Sequence, residues 1–320
     1  MIRKIIAENA IYRSDAITGT FLKNGYDEMG LPWIFRHTVW ENYGSSNALN
    51  WMRGLPAGKV QNNHRYHIGR KNFTMSEIKL YNDDCIVAMK KVADKSIDLI
   101  VTDPPYNLGN FMKNRDTNLS KMRDNFFGSA GWDDMEFDDW EKSMDNFFKS
   151  SARVMKKGGT MIVFMAIIKV ETIIRLAEKH GFYYKTTGIW HKTNPMPRNM
   201  NLHFVNSTEA WVYFTYKTRT GTFNNGGAMF HDFVETSVTP NGERKYGKHP
   251  TQKPESLIQH FVEILSNPDD WVLDPFMGSG TTGVVAKRTE RNFIGVELDK
   301  TYFDMAKSRI EEKRNETKCN

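Results

Sequence analysis

The chain has 320 residues, with 44 basic and 38 acidic side chains, a formal charge of +6 and a hydrophobic fraction of 39%. This length and composition suit one large α/β domain or two smaller ones, and they argue against global disorder. Two cysteines, Cys85 and Cys319, exclude a disulfide scaffold and a four-cysteine zinc site. The longest wholly apolar run, 161–168, is too short to cross a bilayer, and Glu8 and Asp15 interrupt the apolar N-terminus, so we predict a cytoplasmic protein without a signal sequence.

Regular alternation of strands and helices begins near residue 78. The predicted strands, rich in Ile, Val and Phe, span 78–82, 97–102, 160–165, 183–190, 209–215, 271–274 and 292–297. The predicted helices span 139–155, 170–180, a segment from Pro254 to the pair Asn267-Pro268, 281–288 and 302–313. Strands that alternate with helices indicate an α/β fold, in which helices cover both faces of a largely parallel sheet.

A glycine-rich loop follows the predicted strand 271–274. Gly278, Gly280 and Gly283 form the pattern G-x-G-x-x-G ahead of a helix, and Glu297 ends the next strand. An acid about 20 residues after such a loop is expected to bind ribose hydroxyls. The strand, loop, helix and acid together favour a nucleoside-bearing ligand over a plain tight turn.

The sequence Asp103-Pro104-Pro105-Tyr106 follows the predicted strand 97–102. Neither proline can donate to a sheet ladder, so the strand stops abruptly and presents Asp103 and Tyr106 at its tip. A flat heterocycle with an amino group fits this motif, because Tyr106 can stack on the ring while Asp103 and the Pro104 carbonyl accept the two amino hydrogens. The alternative is a proline-terminated strand with a packed tyrosine.

Several motifs, in order along the chain, resemble those of S-adenosylmethionine-dependent DNA amino-methyltransferases. VTDPPYNLG at 101–109 resembles the catalytic motif and precedes the glycine motif, as in the β arrangement of the family. The other matching segments are VMKKGGTMIVF at 154–164, IWHKTNPMPRN at 189–199, GKHPTQKPESL at 247–257, DPFMGSGTTGVVAKR at 274–288 and FIGVELD at 293–299. Within the family, the likeness is greatest to adenine-N6 methyltransferases of bacterial restriction–modification systems.

The resemblance implies a fold, which is a seven-stranded, mostly parallel, Rossmann-like methyltransferase sheet with helices on both faces and one antiparallel strand. In this family, strand 78–82 lies beside 292–297, which lies beside 271–274, which lies beside 97–102. The two unusual strand ends then become neighbours. A methyl donor bound by the glycine loop would therefore lie next to a base held at Asp103.

The resemblance also implies S-adenosyl-L-methionine as the cofactor. Glu297 would bind its ribose hydroxyls, Asp274 its amino group, and Thr251 and Lys253 its carboxylate. The predicted cofactor-binding residues are Asp84, Thr251, Lys253, Asp274, Phe276, Gly278, Gly280, Thr281 and Glu297. The predicted catalytic residues are Asp103, Pro104, Pro105 and Tyr106. A strand-end cap is the alternative role for Asp84, and no metal is expected.

The motif predicts direct methyl transfer to an exocyclic amine. Hydrogen bonds from the amino group to Asp103 and the Pro104 carbonyl would localise its lone pair for attack on the methyl group, and a duplex base must first be flipped out. An Asp at the first motif position favours adenine N6. An N4-cytosine enzyme, an RNA or protein methyltransferase with the same cofactor and a nucleotide-binding protein without catalysis remain alternatives, whereas C5-cytosine chemistry is disfavoured because neither cysteine follows a proline.

DNA is the predicted partner, double-stranded or single-stranded. Residues 1–75 carry ten basic and five acidic side chains, and we predict that they form a basic extension that contacts DNA or a second subunit. Residues 76–320 are the predicted catalytic domain, with a mobile loop at 107–136 and a target-recognition region at 200–247. The candidate DNA-binding residues are Lys113, Arg115, Asn194 and Arg198. A homodimer and a separately encoded restriction endonuclease are further predicted partners.

Overall fold

The computed structural model describes residues 76–108, 135–196, 201 and 204–312. The predicted extension at 1–75 lies outside these residues, as does the predicted mobile loop at 107–136 apart from its ends. Lys113, Arg115 and Arg198 also lie outside them. In the described part of the chain, none of the helices combines the length and the apolar character needed to span a membrane.

Eight strands and six α-helices alternate along the described residues. The strands are β1 (Ile78–Asn82), β2 (Ile97–Thr102), β3 (Met155–Met165), β4 (Phe182–Lys192), β5 (Thr208–Tyr216), β6 (Phe233–Thr236), β7 (Trp271–Asp274) and β8 (Asn292–Glu297). The helices are α1 (Cys85–Met89), α2 (Phe137–Val154), α3 (Val170–Lys179), α4 (Glu255–Leu265), α5 (Thr281–Arg288) and α6 (Lys300–Glu311). All seven predicted strands and all five predicted helices are present, and α1 and β6 are additional.

All eight strands belong to one sheet with the order β1-β8-β7-β2-β3-β5-β4-β6. Among them β5 alone runs antiparallel, pairing with β3 on one side and β4 on the other. The predicted fold class, the single antiparallel strand and the order of the first four strands are confirmed. The predicted number of seven strands is wrong by one, because β6 has four residues of which only Val234 is buried, too few to give a strand pattern.

Helices cover both faces of the sheet because the strand side chains alternate between them. On one face, Ile100 of β2 and Met161 of β3 pack against Trp140 and other residues of α2 and α3. On the opposite face, Leu99 and Ile162 pack against α4, α5 and α6. Both faces are apolar, so β2 and β3 are buried on both sides, as the near-continuous hydrophobic sequences of these strands require.

The direction of the strands brings distant parts of the chain to one edge of the sheet. All strands except β5 have their carboxyl ends at this edge, and β5 has its amino end there because it runs the opposite way. Neighbouring β2 and β7 pair Ile100 with Leu273, so the residues that follow them emerge side by side. This edge therefore gathers the end of β2, the end of β7 and the start of β5.

Candidate active site

A pocket at this edge is lined by residues from both predicted motifs. It includes Asp103 and Pro105 of the first motif, and most of the residues predicted to bind the cofactor. Those cofactor residues are Asp84, Thr251, Lys253, Asp274, Phe276, Gly278, Thr281 and Glu297. Pro104, Tyr106 and Gly280 adjoin residues that line it. The structure thus brings together in space two motifs that are separated by about half of the chain.

The glycine loop after β7 depends on two left-handed backbone positions. Gly278 has φ +50° and Gly280 has φ +78°, conformations that L side chains rarely adopt. A Cβ at Gly280 would lie 2.8 Å from the Cβ of Ala306 on α6. The Gly278 N–H donates to Glu297 Oε2 at 2.9 Å, so the loop and the acid at the end of β8 hold each other in place.

Glu297 is fixed by backbone groups on both oxygens. Its Oε1 accepts from the Asp299 N–H at 2.8 Å, in addition to the Gly278 contact on Oε2. Each carboxylate oxygen has two lone pairs, so both oxygens keep capacity for a ligand hydroxyl. Burial raises the pKa of Glu297, while the backbone N–H groups oppose that shift. The arrangement suits the predicted contact with a ribose.

Asp274 joins the ends of β2 and β7. Its Oδ1 accepts from the Thr102 hydroxyl at 2.8 Å and its Oδ2 from the Thr282 hydroxyl at 2.7 Å. The Phe276 N–H also donates to Oδ1 at 3.2 Å. Burial raises the pKa of Asp274 to about 7, even though these hydrogen bonds favour the carboxylate. Asp274 is therefore first of all a structural link between the two strand ends.

Asp103 holds a central place in the pocket. The Tyr106 hydroxyl donates to its Oδ1 at 2.6 Å, and Lys253 Nζ donates to its Oδ2. The Trp140 indole N–H from α2 donates to the Pro105 carbonyl at 2.8 Å and so fixes the rigid Pro-Pro segment. The ring of Tyr106 packs against the core beneath α2, as the alternative of a packed tyrosine expected. Its hydroxyl also contacts Asp103, so Tyr106 has a packing role and a polar role.

Lys253 belongs to the loop before α4 and is 7% exposed. Its Nζ contacts Asp103 and lies 3.2 Å from Glu209 Oε2. Burial lowers the pKa of Lys253, but the Asp103 and Glu209 carboxylates outweigh it, and the net shift is upward. Lys253 is thus a buried ammonium group beside the Asp103 carboxylate, and its predicted contact with the carboxylate of the cofactor stays a prediction.

Glu209, the second residue of β5, is a site residue that the sequence reasoning missed. Its Oε2 also lies 3.2 Å from the Tyr106 hydroxyl, and its Oε1 lies 2.5 Å from Lys192 Nζ at the end of β4. The available signal was a charged residue at the start of an apolar strand. This signal becomes informative only when the direction of β5 is known, because the antiparallel direction brings the amino end of that strand to the site.

Two predicted site residues have local structural roles. Asp84 caps α1, since its Oδ1 accepts from the N–H groups of Ile86 at 2.9 Å and Val87 at 3.1 Å. A cap was the alternative role considered for this residue, although it also lines the pocket. Asn194 Oδ1 accepts from the Val238 N–H at 2.8 Å, which ties the segment after β4 to the segment after β6, inside the predicted target-recognition region at 200–247.

Comparisons with known proteins place these motifs in context. The model of a family described as DNA methylase, N6_N4_Mtase, matches residues 97–308. The Type II methyltransferase M2.DpnII of Streptococcus pneumoniae is 31% identical over 255 residues, which cover 77% of this chain and 93% of that protein. The Type II methyltransferase M.HinfI of Haemophilus influenzae is 34% identical over 244 residues, or 72% of this chain and 67% of that protein.

Solved structures give the same result for the fold. The crystal structure of the M1.HpyAVI–SAM complex is 30% identical, covers 73% of this chain and all of its own, and has a TM-score of 0.57. The PvuII DNA methyltransferase, described as cytosine-N4-specific, is 21% identical, with a TM-score of 0.60 over 75% of this chain and 89% of its own. At that identity the second likeness supports the fold alone.

Proposed function

Because the chain belongs to the DNA methylase family N6_N4_Mtase, we propose that it transfers a methyl group from S-adenosyl-L-methionine to the exocyclic N6 of adenine in DNA. The observation that carries this proposal is the adjacency of the two motifs, with Thr102 and Asp274 joined by a hydrogen bond of 2.8 Å. A donor held by the glycine loop and an acceptor held at Asp103 then share one pocket.

The residues around the glycine loop suit the methyl donor. S-adenosyl-L-methionine supplies a methyl group on a positively charged sulfur. Glu297, whose oxygens are aligned by two backbone N–H groups, would bind the ribose hydroxyls. Gly278 lines the pocket beside the His249 ring, which a Cβ at this position would approach to 3.1 Å, and Thr281 at the start of α5 lines the same pocket. Lys253 and Thr251 provide a cation and a hydroxyl for the carboxylate end.

The Asp103 carboxylate and the Pro104 carbonyl act on the base. The amino lone pair of adenine is delocalised into the ring, so the nitrogen is a weak nucleophile. Hydrogen bonds to these two oxygens favour a tetrahedral nitrogen and localise the pair, and they strengthen as the methyl group approaches. A base in a duplex reaches Asp103 only after it is flipped out, at a cost of about a few kcal/mol. Stacking on Tyr106 would offset part of that cost.

N4-cytosine is the second candidate acceptor. Its exocyclic amine is conjugated to a ring in the same way, and the matching family includes both specificities in its name. Asp103 at the first motif position favours adenine, because the resemblance of this motif is to adenine enzymes.

Nucleoside analysis of product DNA tests the assignment. Unmethylated DNA is incubated with the protein and S-adenosyl-L-methionine, digested to nucleosides and analysed by mass spectrometry, with Asp103→Ala protein as the blank. We expect N6-methyladenine in the wild-type reaction and at least about 100-fold less of it with the variant in the same early time interval. N4-methylcytosine as the sole product would contradict the adenine assignment, and no methylated base at all would contradict the function.

The remaining features of the sequence extend this proposal. The activity would lie in the cytoplasm, where bacterial or phage DNA is found. The basic extension at 1–75 would bind phosphates, so replacing its basic residues by Gln in the full chain should reduce the salt dependence of DNA affinity. Titration with DNA at several salt concentrations measures that slope, and an unchanged slope would rule the extension out. The homodimer and the separately encoded endonuclease stay predictions.

A further inference from the structure

Glu209 belongs to neither motif, yet it contacts both side chains that hold Asp103. A single oxygen, Oε2, lies 3.2 Å from Lys253 Nζ and 3.2 Å from the Tyr106 hydroxyl. The same two donors occupy the two oxygens of Asp103. Asp103 and Glu209 therefore share one pair of hydrogen-bond donors.

Glu209 is a permanent anion in this cluster. Burial pushes the pKa of Glu209 up, but the ammonium groups of Lys253 and Lys192 outweigh it and hold the pKa at about 2. Lys192 binds the other oxygen, Oε1, at 2.5 Å and so anchors the carboxylate to β4. Two cations and two carboxylates balance in charge, which lets the group lie in a site where an unpaired charge would be costly.

The arrival of a base creates a conflict at Asp103. The amino group of the base needs an Asp103 oxygen, and each oxygen already accepts from one donor. The base must therefore use the second lone pair of an oxygen whose negative charge Lys253 or Tyr106 already draws on. If the base displaced Lys253 or Tyr106 from Asp103, that donor would be left unpaired in a buried site, which is unfavourable. Glu209 removes this cost, because Lys253 and Tyr106 already lie within reach of its Oε2.

We propose that Glu209 is a positioning residue, which takes over the hydrogen bonds of Lys253 and Tyr106 and thereby frees Asp103 for the amino group of the base. The proposal rests on the proposed function and adds a residue to it. Glu209 itself touches neither the base nor the methyl group in this account. Its effect reaches the reaction through the two side chains that it holds.

The test is single-turnover methyl transfer by the full-length chain carrying Glu209→Gln. Without the carboxylate, Lys253 keeps Asp103 as its one anionic partner and competes with the base. We expect a rate about 10- to 100-fold below wild type. The Kd for S-adenosyl-L-methionine should stay within about threefold, because Lys253 is the one proposed donor-binding residue that Glu209 contacts and it keeps its charge and its bond to Asp103. Glu209→Asp keeps the charge on a shorter side chain and should give an intermediate rate.

The pH profile separates positioning from a merely structural role. Burial raises the pKa of Asp103 and the Glu209 carboxylate raises it further, whereas Lys253 and Tyr106 lower it. Asp274 and Lys192 also border the cluster, and both remain in the variant. Removing the Glu209 charge should therefore shift the acid limb of the rate to lower pH. A substitution that acted through packing alone, and not through the Glu209 charge, would leave that limb in place.

Glu141→Gln is the matched control. Glu141 also forms an ion pair, at 2.9 Å with Arg175, but on the outer surface of α2 and α3. Its rate and pH profile should match wild type. A wild-type rate for Glu209→Gln would overturn the proposal, as would equal losses in rate and donor affinity. If that variant fails to fold, a wild-type rate for Glu209→Asp would overturn it instead. Product identity in the wild-type reaction reports separately on the proposed function.

Discussion

The two strand tips that form the site are built in different ways. Around the glycine loop after β7, the carboxylates of Asp274 and Glu297 are held by backbone N–H groups and short threonine hydroxyls. At the tip of β2, Asp103 is held by a phenol and by a long ammonium side chain. Backbone groups cannot leave their partners without unfolding the loop, whereas a lysine can turn to another acceptor. The donor side is therefore shaped by the fold, and the base side can adapt.

The glycine loop should tolerate substitution least. Gly280→Ala places a Cβ on a backbone with φ +78° and within 2.8 Å of the Ala306 Cβ. We expect the free energy of unfolding to fall by about 2–4 kcal/mol. Urea unfolding measures it, with Gly242→Ala as the control because a Cβ there meets nothing within 4 Å. Equal stability of the two variants would contradict the view that the loop after β7 is rigid.

The buried Asp274 should make stability depend on pH. Its folded pKa of about 7 lies above the usual aspartate value of 3.8, so the folded state binds an extra proton between these pH values. Wild-type stability is then lost as pH rises through this window, by up to about 1.4 kcal/mol per pH unit.

Asp274→Asn removes that titration. The unfolding free energy of the variant relative to wild type should rise from about pH 4 to about pH 7 and be constant outside that range. Thermal unfolding across pH measures the difference. A difference that stays flat through the window would mean that Asp274 is not a buried, titrating link between the strand ends.

Loss of the hydrogen bond between the ends of β2 and β7 should have the smallest effect on the free energy of unfolding. Thr102→Val removes the hydroxyl 2.8 Å from Asp274 Oδ1, although Phe276 still donates to that oxygen. We expect a loss of about 1–2 kcal/mol in unfolding free energy. Thr186→Val, at a half-buried position on β4 where the hydroxyl makes only a long 3.4 Å contact with Asp232 Oδ2, is the control and should change stability by less than about 0.5 kcal/mol. A neutral Thr102→Val would show that the tips are independent.

Much of the sheet could be predicted because its signals are local or come in recognisable motifs. Apolar runs mark the buried strands, the Pro-Pro pair marks the end of β2, and the glycines mark the loop after β7. The resemblance then supplied the strand order, which put the two motifs side by side. Element ends moved by a few residues, and β3 begins at Met155 rather than at residue 160.

The parts that could not be predicted depend on tertiary contacts. Glu209 joins the site because an antiparallel strand brings its amino end to an edge where parallel strands end. Lys253 contacts Asp103 across 150 positions of sequence, and no local pattern reports that pairing. Asp84 lies in the pocket wall, but its carboxylate is used to cap α1. A motif thus identified which residues are near the chemistry, and the fold determined which partners they have.

In this account, the loop after β7 binds the methyl donor and the end of β2 holds the base. Asp103→Ala tests this separation most directly, when both donor binding and single-turnover methyl transfer are measured. Lys253 keeps Glu209 as a partner in this variant, at 3.2 Å, so it is not left unpaired. The account predicts a Kd for S-adenosyl-L-methionine within about threefold of wild type and a transfer rate lower by about 10²- to 10³-fold. A near-normal rate, or a loss of donor affinity as large as the loss of rate, would contradict it.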